Sequence, residues 1–224
     1  MEKFSRLQDQ LGYRFNDESL LSLALTHRSF SRSNNERLEF LGDSILNHVI
    51  AEALYQRFEQ VREGDLSRLR ASLVRGETLA EIARELALGD YLRMDSGARK
   101  TASHRRDSVL SDTLEAVAGA ILLDGGHEAC RKVLLALFTE RLAQLDANDG
   151  KDPKTRLQEY LQGRQLPLPV YRLVKVSEQD HEQHFTCSCQ ISKPPLSGEG
   201  SGSSRRRAEQ AAAGEVLDQL SQGG

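Results

Sequence analysis

The stretch NERLEFLGDSIL, Asn35 to Leu46, sets three acids into a segment that otherwise reads as buried. Glu36, Glu39 and Asp43 stand among Leu38, Phe40, Leu41, Ile45 and Leu46. Steps of three and four put these acids on one face of a helix, where like charges repel by about 0.2–0.5 kcal/mol per pair. A surface helix usually relieves such repulsion with Lys or Arg one turn away. At that spacing Glu39 meets only Asn35, Glu36, Gly42 and Asp43, and Asp43 meets Glu39, Phe40, Leu46 and Asn47. A second segment, VLSDTLEAVAGAILL, repeats the pattern: Asp112 and Glu115 are three apart, flanked by Ser108, Val109, Ser111, Ala116, Ala118 and Gly119. These small residues, with Gly42, allow two helices to approach closely and four carboxylates to converge. The acids are then a solvated face, partners of Arg from elsewhere in the fold, or ligands of a cation. Mg²⁺ prefers carboxylate oxygens, and two such ions roughly 4 Å apart clamp a phosphodiester.

With 224 residues, the chain has room for one large domain or two smaller ones. No run of roughly 18 apolar residues is present, so no transmembrane helix and no membrane partner are expected. The start, MEKFSRLQDQ, is polar and lacks the apolar stretch of a secretory signal, so a cytoplasmic protein is expected. Three cysteines, Cys130, Cys187 and Cys189, fit free thiols in a reducing compartment. The net charge of −3 argues against wholesale nucleic-acid binding. From Lys151 onward 10 Lys and Arg face 9 Asp and Glu, a net of +1. Any contact with nucleic acid therefore comes from local clusters.

Residues 1–146 read as helix after helix, an all-α domain. Asn16-Asp17 caps a helix through Leu25, Asn34-Asn35 precedes one reaching about Phe58, Gly64-Asp65 precedes LSRLRASLV, and Thr78 precedes LAEIARELAL, which stops at Gly89. Residues 93–106 read as a loop. A helix after Asp107 or Ser108 ends at Gly125-Gly126, and another follows from His127 to about Leu145. Asp, Asn, Gly and Pro then cluster in DANDGKDP, marking residues 147–152 as a linker. Residues 153–224 read as a small α+β domain in the order α-β-β-β-α. Pro153 opens a helix. Val170–Val176 alternates, and residues 184–191 put Phe185, Cys187, Cys189 and Ile191 on one strand face. A Gly/Ser loop, GEGSGSS, leads into RRRAEQAAAGEVLDQL, a helix with an Ala-rich face.

The segments NERLEFLGDSIL and LSDTLEAVAGAILLD, with THRS at 26–29, resemble the signatures of bacterial ribonuclease III. The resemblance runs over essentially the whole chain, and the C-terminal module resembles a double-stranded-RNA-binding domain. It implies an all-helical homodimeric endonuclease domain and a Mg²⁺-dependent endoribonuclease specific for double-stranded RNA, with Mn²⁺ able to substitute. It further implies 5′-phosphate and 3′-hydroxyl ends, short 3′ overhangs and processing of rRNA precursors. Carried over residue by residue, Glu39, Asp43, Asp112 and Glu115 correspond to the metal-binding carboxylates. Glu36 and Glu63 match two further acids near the scissile strand. Phe40 matches an aromatic that the family inserts into the partner subunit, with a plain core Phe as the alternative.

For the C-terminal module the resemblance puts Gln158 and Gln162 on the first helix, and His181 between strands, at the RNA minor groove. Ser204, Arg205 and Arg206 open the last helix, where N–H groups and guanidinium forks suit phosphates. Glu209 replaces the base usual after the Ala of this helix, and the SEQD loop before His181 is acidic. Both departures predict modest affinity, offset in a dimer by two modules on one duplex. The run HEQHFTCSC offers His181, His184, Cys187 and Cys189, but His184 faces away from the cysteines and C-x-C is not a usual zinc spacing. Core packing of the cysteines is expected, and zinc is not. The rival functions are a non-catalytic double-stranded-RNA-binding regulator of the same fold and a helical dimerisation scaffold.

Overall fold

The computed structural model describes residues 4–146, 151–179 and 182–222. The chain divides into two compact units, Met1–Asp149 and Gly150–Gly224.

The first unit is helical. Its elements are α1 (Ser5–Leu11), α2 (Glu18–Ala24), α3 (Glu36–Arg57), α4 (Glu63–Val74), α5 (Gly76–Glu85), α6 (Leu88–Tyr91), α7 (Ser96–Lys100) and α8 (Asp107–Gln144). Asp17 caps α2 by accepting from the Ser19 N–H. α8 breaks at Gly126, whose φ of 78° and ψ of −177° leave the helical region. Glycine tolerates that conformation where other residues are strained, and it separates two helical stretches where the sequence places the break. Elsewhere the boundaries move. Gly64 and Asp65 lie inside the first turn of α4, which starts at Glu63. Thr78 lies inside α5, buried, with its hydroxyl donating to the Ser72 carbonyl. α5 ends at Glu85, and Ala87 turns the chain with a left-handed φ of 53°. The expected 93–106 loop holds α7, capped by Asp95 accepting from the Ala98 N–H, and a 3-10 turn, Ser103–Arg105. Polar side chains hid these short helices because their caps and turns, not a buried face, hold them.

α3 and α8 form the centre of the unit. Leu38, Ile45, Leu46, Val49 and Ile50 of α3 and Leu114, Val117 and Ile121 of α8 belong to one buried cluster. The helices touch backbone to backbone at two glycines. A Cβ on Gly42 would overlap the Glu115 carbonyl, and one on Gly119 would overlap the Leu38 carbonyl. The close approach read from the small residues is therefore present, and it sets the Glu39 and Glu115 turns against each other.

The second unit holds α9 (Pro153–Gly163), β1 (Val170–Gln179), β2 (Glu182–Ser192), β3 (Pro195–Gly202) and α10 (Arg205–Gln222). The strands form one antiparallel sheet in the order β1-β2-β3. Leu157, Leu161, Cys189, Ile191, Ala212, Ala213 and Val216 make its core, and Cys187 is fully buried too. The GEGSG of the expected loop is the end of β3. Gly198, Gly200 and Gly202 alternate along it, and a Cβ on any of them would press on α10. Glycine there serves close strand–helix packing with the Ala face of α10. Along β1 the alternation fails. The register shifts between Leu173 and Lys175, and Val170, Leu173, Val174 and Val176 are all exposed.

The glycine contacts predict a sharp asymmetry. Gly42→Ala should destabilise the protein by about 3 kcal/mol or more, since the clash is with backbone rather than a movable side chain. Gly64→Ala, with open space around it, should be neutral or slightly stabilising by helix propensity. Chemical denaturation of both variants checks the ordering; equal midpoints would contradict the packing argument.

Candidate active site

Residues 36 to 43 project one acidic strip from the first two turns of α3, and residues 112 to 115 another from α8. The glycine contact brings the strips together. Carboxylate oxygens of Glu39, Asp112 and Glu115 all lie within 4.8 Å of one another. A cavity of about 300 Å³ opens beside them, walled by His27, Arg28, Asn35, Glu36, Glu39, Ser108, Val109 and Asp112.

Among the described residues no donor reaches the carboxylate of Glu39 or Glu115, and Asp112 receives a long 3.4 Å contact from the Ser111 hydroxyl and a bond from its own backbone N–H. Burial, with Asp43, Asp112 and Glu39 adding repulsion, pushes the Glu115 carboxyl up to about 8. Burial raises Glu39 and Asp112 as well, with Asp112 and Glu36 adding to the rise of Glu39. Two acids elsewhere in the unit, Asp124 and Glu52, are satisfied. Burial alone would raise Asp124, but the Tyr13 hydroxyl at 2.6 Å and the Asn16 and Asp17 N–H groups at 2.8 Å hold it below its usual value. Glu52 takes a 2.8 Å bond from Arg131 that lowers it. The cluster is thus a set of oxygen donors with spare valence, which suits a hard divalent cation.

The remaining expected acids fall outside this trio. Asp43 stands close enough to raise Glu115, yet its carboxylate accepts from Asn47 Nδ2 at 2.8 Å and is not one of the three that converge. Glu36 lines the cavity, takes 3.1 Å from Asn34 Nδ2 and faces Arg28 at 3.8 Å, so the pairing with a distant Arg holds for this acid. Glu63 accepts from the Ser67 hydroxyl at 2.7 Å and lines a separate groove with His48, Glu52, Tyr55 and Arg70. Phe40 is 78% exposed, which excludes the plain core Phe. Beside it runs a groove of about 810 Å³ walled by Leu20, Leu23, Leu41 and Leu123.

In the second unit Gln158, Gln162, Arg205 and Arg206 are exposed. Ser204 precedes α10 and accepts from the Arg207 N–H at 3.3 Å. His181 lies outside the described residues. Glu209 does more than remove a base: it binds Lys154 Nζ at 2.7 Å and Arg205 Nε at 2.9 Å.

The family model described as Ribonuclease-III-like matches residues 17–142. The chain belongs to the ribonuclease III family. The model of the double-stranded RNA binding motif matches residues 153–220. Two solved structures of the ribonuclease III nuclease domain from Campylobacter jejuni are similar to the first unit. One is 45% identical, covers 61% of this chain and 96% of its own, and has a TM-score of 0.60. The other is 44% identical, covers 65% and 100%, and has a TM-score of 0.62. A ribonuclease III domain joined to this motif makes the chain a double-stranded-RNA endoribonuclease. The family is metal-dependent, and the acidic cluster is compatible with that. Among the described residues no helix is long and apolar enough to cross a membrane.

Sequence reasoning passed over His27 and Arg28, although it singled out the THRS motif that holds them. Burial, then Arg28, keeps the His27 imidazole below its ordinary pKa.

Glu115 titrates between its unfolded value of 4.5 and a folded value of about 8. In that window the folded state holds more protons than the unfolded state, so its contribution to stability is present below pH 4.5 and is lost as pH rises toward 8. In chelator, wild type should lose stability relative to Glu115→Gln between these limits. Added divalent cation should reverse the trend, because it binds the folded state. Denaturation midpoints at several pH values measure both effects.

Proposed function

We propose that this ribonuclease III-type chain cleaves double-stranded RNA by Mg²⁺-dependent phosphodiester hydrolysis, with Mn²⁺ able to substitute. Water oxygen joins phosphorus and the 3′ oxygen departs, leaving 5′-phosphate and 3′-hydroxyl ends. The convergence of the Glu39, Asp112 and Glu115 oxygens carries this reading. With Asp43 beside them, these residues would hold the cation. A bound divalent cation supplies Lewis-acid polarisation of the phosphate and a more acidic water. The carboxylates fix its place between α3 and α8, and the backbone contact at Gly42 keeps that place from shifting. Glu36 at the cavity rim and Glu63 in the neighbouring groove serve along the scissile strand.

In this reading residues 1–146 form the catalytic domain, 147–152 the linker and 153–224 the RNA-binding domain. Gln158, Gln162, His181, Ser204, Arg205 and Arg206 contact the duplex. The protein works in the cytoplasm on rRNA precursors and other structured transcripts, mRNA and tRNA precursors among them. It does so as a homodimer. An exposed aromatic beside an apolar groove is self-complementary under a two-fold axis, which lets one patch serve both subunits.

Two experiments test these statements. Glu115→Gln keeps the side-chain shape and removes one negative ligand oxygen. Cleavage of a long RNA duplex in Mg²⁺ should fall by on the order of a hundredfold or more, while duplex binding in Ca²⁺ holds and the melting temperature in chelator at neutral pH is the same or higher. A variant that cuts at near wild-type rate sinks the assigned role, and a wild type that binds duplex without cutting favours the non-catalytic regulator. Phe40→Ala should shift sedimentation from dimer toward monomer at micromolar concentration, since buried aromatic anchors carry interface energy. An unchanged dimer would remove Phe40 from the interface.

A further inference from the structure

The THRS motif is fixed by a set of hydrogen bonds around His27. His27 follows α2 and its backbone N–H donates to the Arg93 carbonyl at 3.0 Å, which ties it to the segment before α7. Its ring nitrogen Nδ1 faces Ser29. The Ser29 backbone N–H reaches Nδ1 at 3.1 Å, and the Ser29 hydroxyl lies 2.9 Å away. That hydroxyl oxygen accepts from the Asp95 N–H at 3.2 Å, so its own hydrogen is left to point at Nδ1. Two donors converge on Nδ1, which must therefore be the unprotonated, accepting nitrogen. The proton of the neutral ring sits on Nε2. No described residue accepts from Nε2, and His27 is one of the residues that wall the cavity Glu39 and Asp112 also line. A neutral, fixed N–H donor thus stands on the wall of an acid-rich cavity whose one lining arginine among the described residues, Arg28, is directed at Glu36.

We propose that His27 is a substrate-contact residue whose Nε2–H donates to an oxygen of the RNA phosphate held at the acidic cluster. This rests on the reading of that cluster as the cleavage site. Asp95 and Ser29 fix the tautomer, so the donor is in place before RNA arrives. A preorganised donor loses nothing to reorientation when charge builds on the phosphate oxygens. A neutral donor also suits this position: it binds a phosphate oxygen without offering the carboxylates a permanent cationic partner in place of the metal.

The two amide replacements separate the two nitrogens. Asn places its polar atoms near Nδ1 and accepts from Ser29, whereas Gln reaches the Nε2 position with an N–H. His27→Asn should therefore keep the melting temperature and lose on the order of a hundredfold in cleavage of a long RNA duplex in Mg²⁺. His27→Gln should melt lower, because the Ser29 N–H loses its acceptor, yet cut within about tenfold of wild type. Both should bind duplex RNA in Ca²⁺ within about tenfold of wild type, a smaller loss than that in cleavage for His27→Asn. Nitrogen NMR of the labelled wild-type protein at neutral pH should show His27 protonated at Nε2 and bare at Nδ1, a readout that needs no variant to fold. The inference is overturned if His27→Asn cuts like wild type, if His27→Gln is the slower of the two, or if NMR finds the proton on Nδ1. A wild type that fails to cut duplex RNA in Mg²⁺ overturns the cleavage reading instead.

Discussion

Everything in the first unit depends on two helices touching without side chains between them. Gly42 on α3 and Gly119 on α8 remove the only atoms that would hold the backbones apart. The apolar residues around them, Leu38, Ile45, Leu46, Leu114 and Val117, close the contact by burial. Since Gly42 meets the carbonyl of Glu115 itself and Gly119 that of Leu38, next to Glu39, the contact that stabilises the core also forces carboxylates together. Stability and site therefore cannot be tuned apart at these positions. A larger residue that relieved charge crowding by separating the helices would do so at the expense of the core.

The same unit shows how a protein treats an acid it wants quiet. Asp124 sits under a hydroxyl and two backbone N–H groups, and Glu52 under a guanidinium. Glu115 has burial and three like charges instead. Leaving such a group unpaired is costly, and that cost is the physical signature of a site built for a ligand absent from the chain itself. Arg28 forms its ion pair with the outer acid, Glu36, and only partly offsets the rise of Glu39 and Asp112. Of the inner three, only Asp112 accepts a hydrogen bond among the described residues.

This part was legible in the sequence because its logic is local: acids at helical spacing, no base one turn away, and small residues beside them. The break at Gly126 and the cap at Asp17 were legible for the same reason. What escaped was set by contacts between distant segments. Asp43 turns to Asn47 although its spacing puts it on the acidic face. His27 gains its role from Asp95, 68 positions along the chain, through a hydroxyl that no periodicity reveals. The glycines of β3 read as a flexible loop because their purpose, seating α10, lies in another element. The alternation read along Val170–Val176 does not hold in β1, where the register shifts after Leu173 and Val170, Leu173, Val174 and Val176 all lie outside.

Charge is rationed in the second unit by one residue. Glu209 is nearly buried at the start of α10 and holds both Lys154 of α9 and Arg205. Both bonds lower its pKa, so it stays an anion throughout the neutral range. Lys154 also lies over the Tyr171 ring at 4.3 Å. Two of the cations nearest the helix start are thus committed within the fold, and Arg207 donates to the Ser203 hydroxyl at 3.1 Å. Among the described residues Arg206 alone of the three arginines has no protein partner. A phosphate arriving at this helix start meets one uncommitted guanidinium and the free N–H groups of the first turn. To engage Arg205 it must compete with Glu209. The pairing gives Lys154 and Arg205 fixed positions and cancels half of their combined charge, so a module with three consecutive arginines attracts phosphate less than its sequence implies.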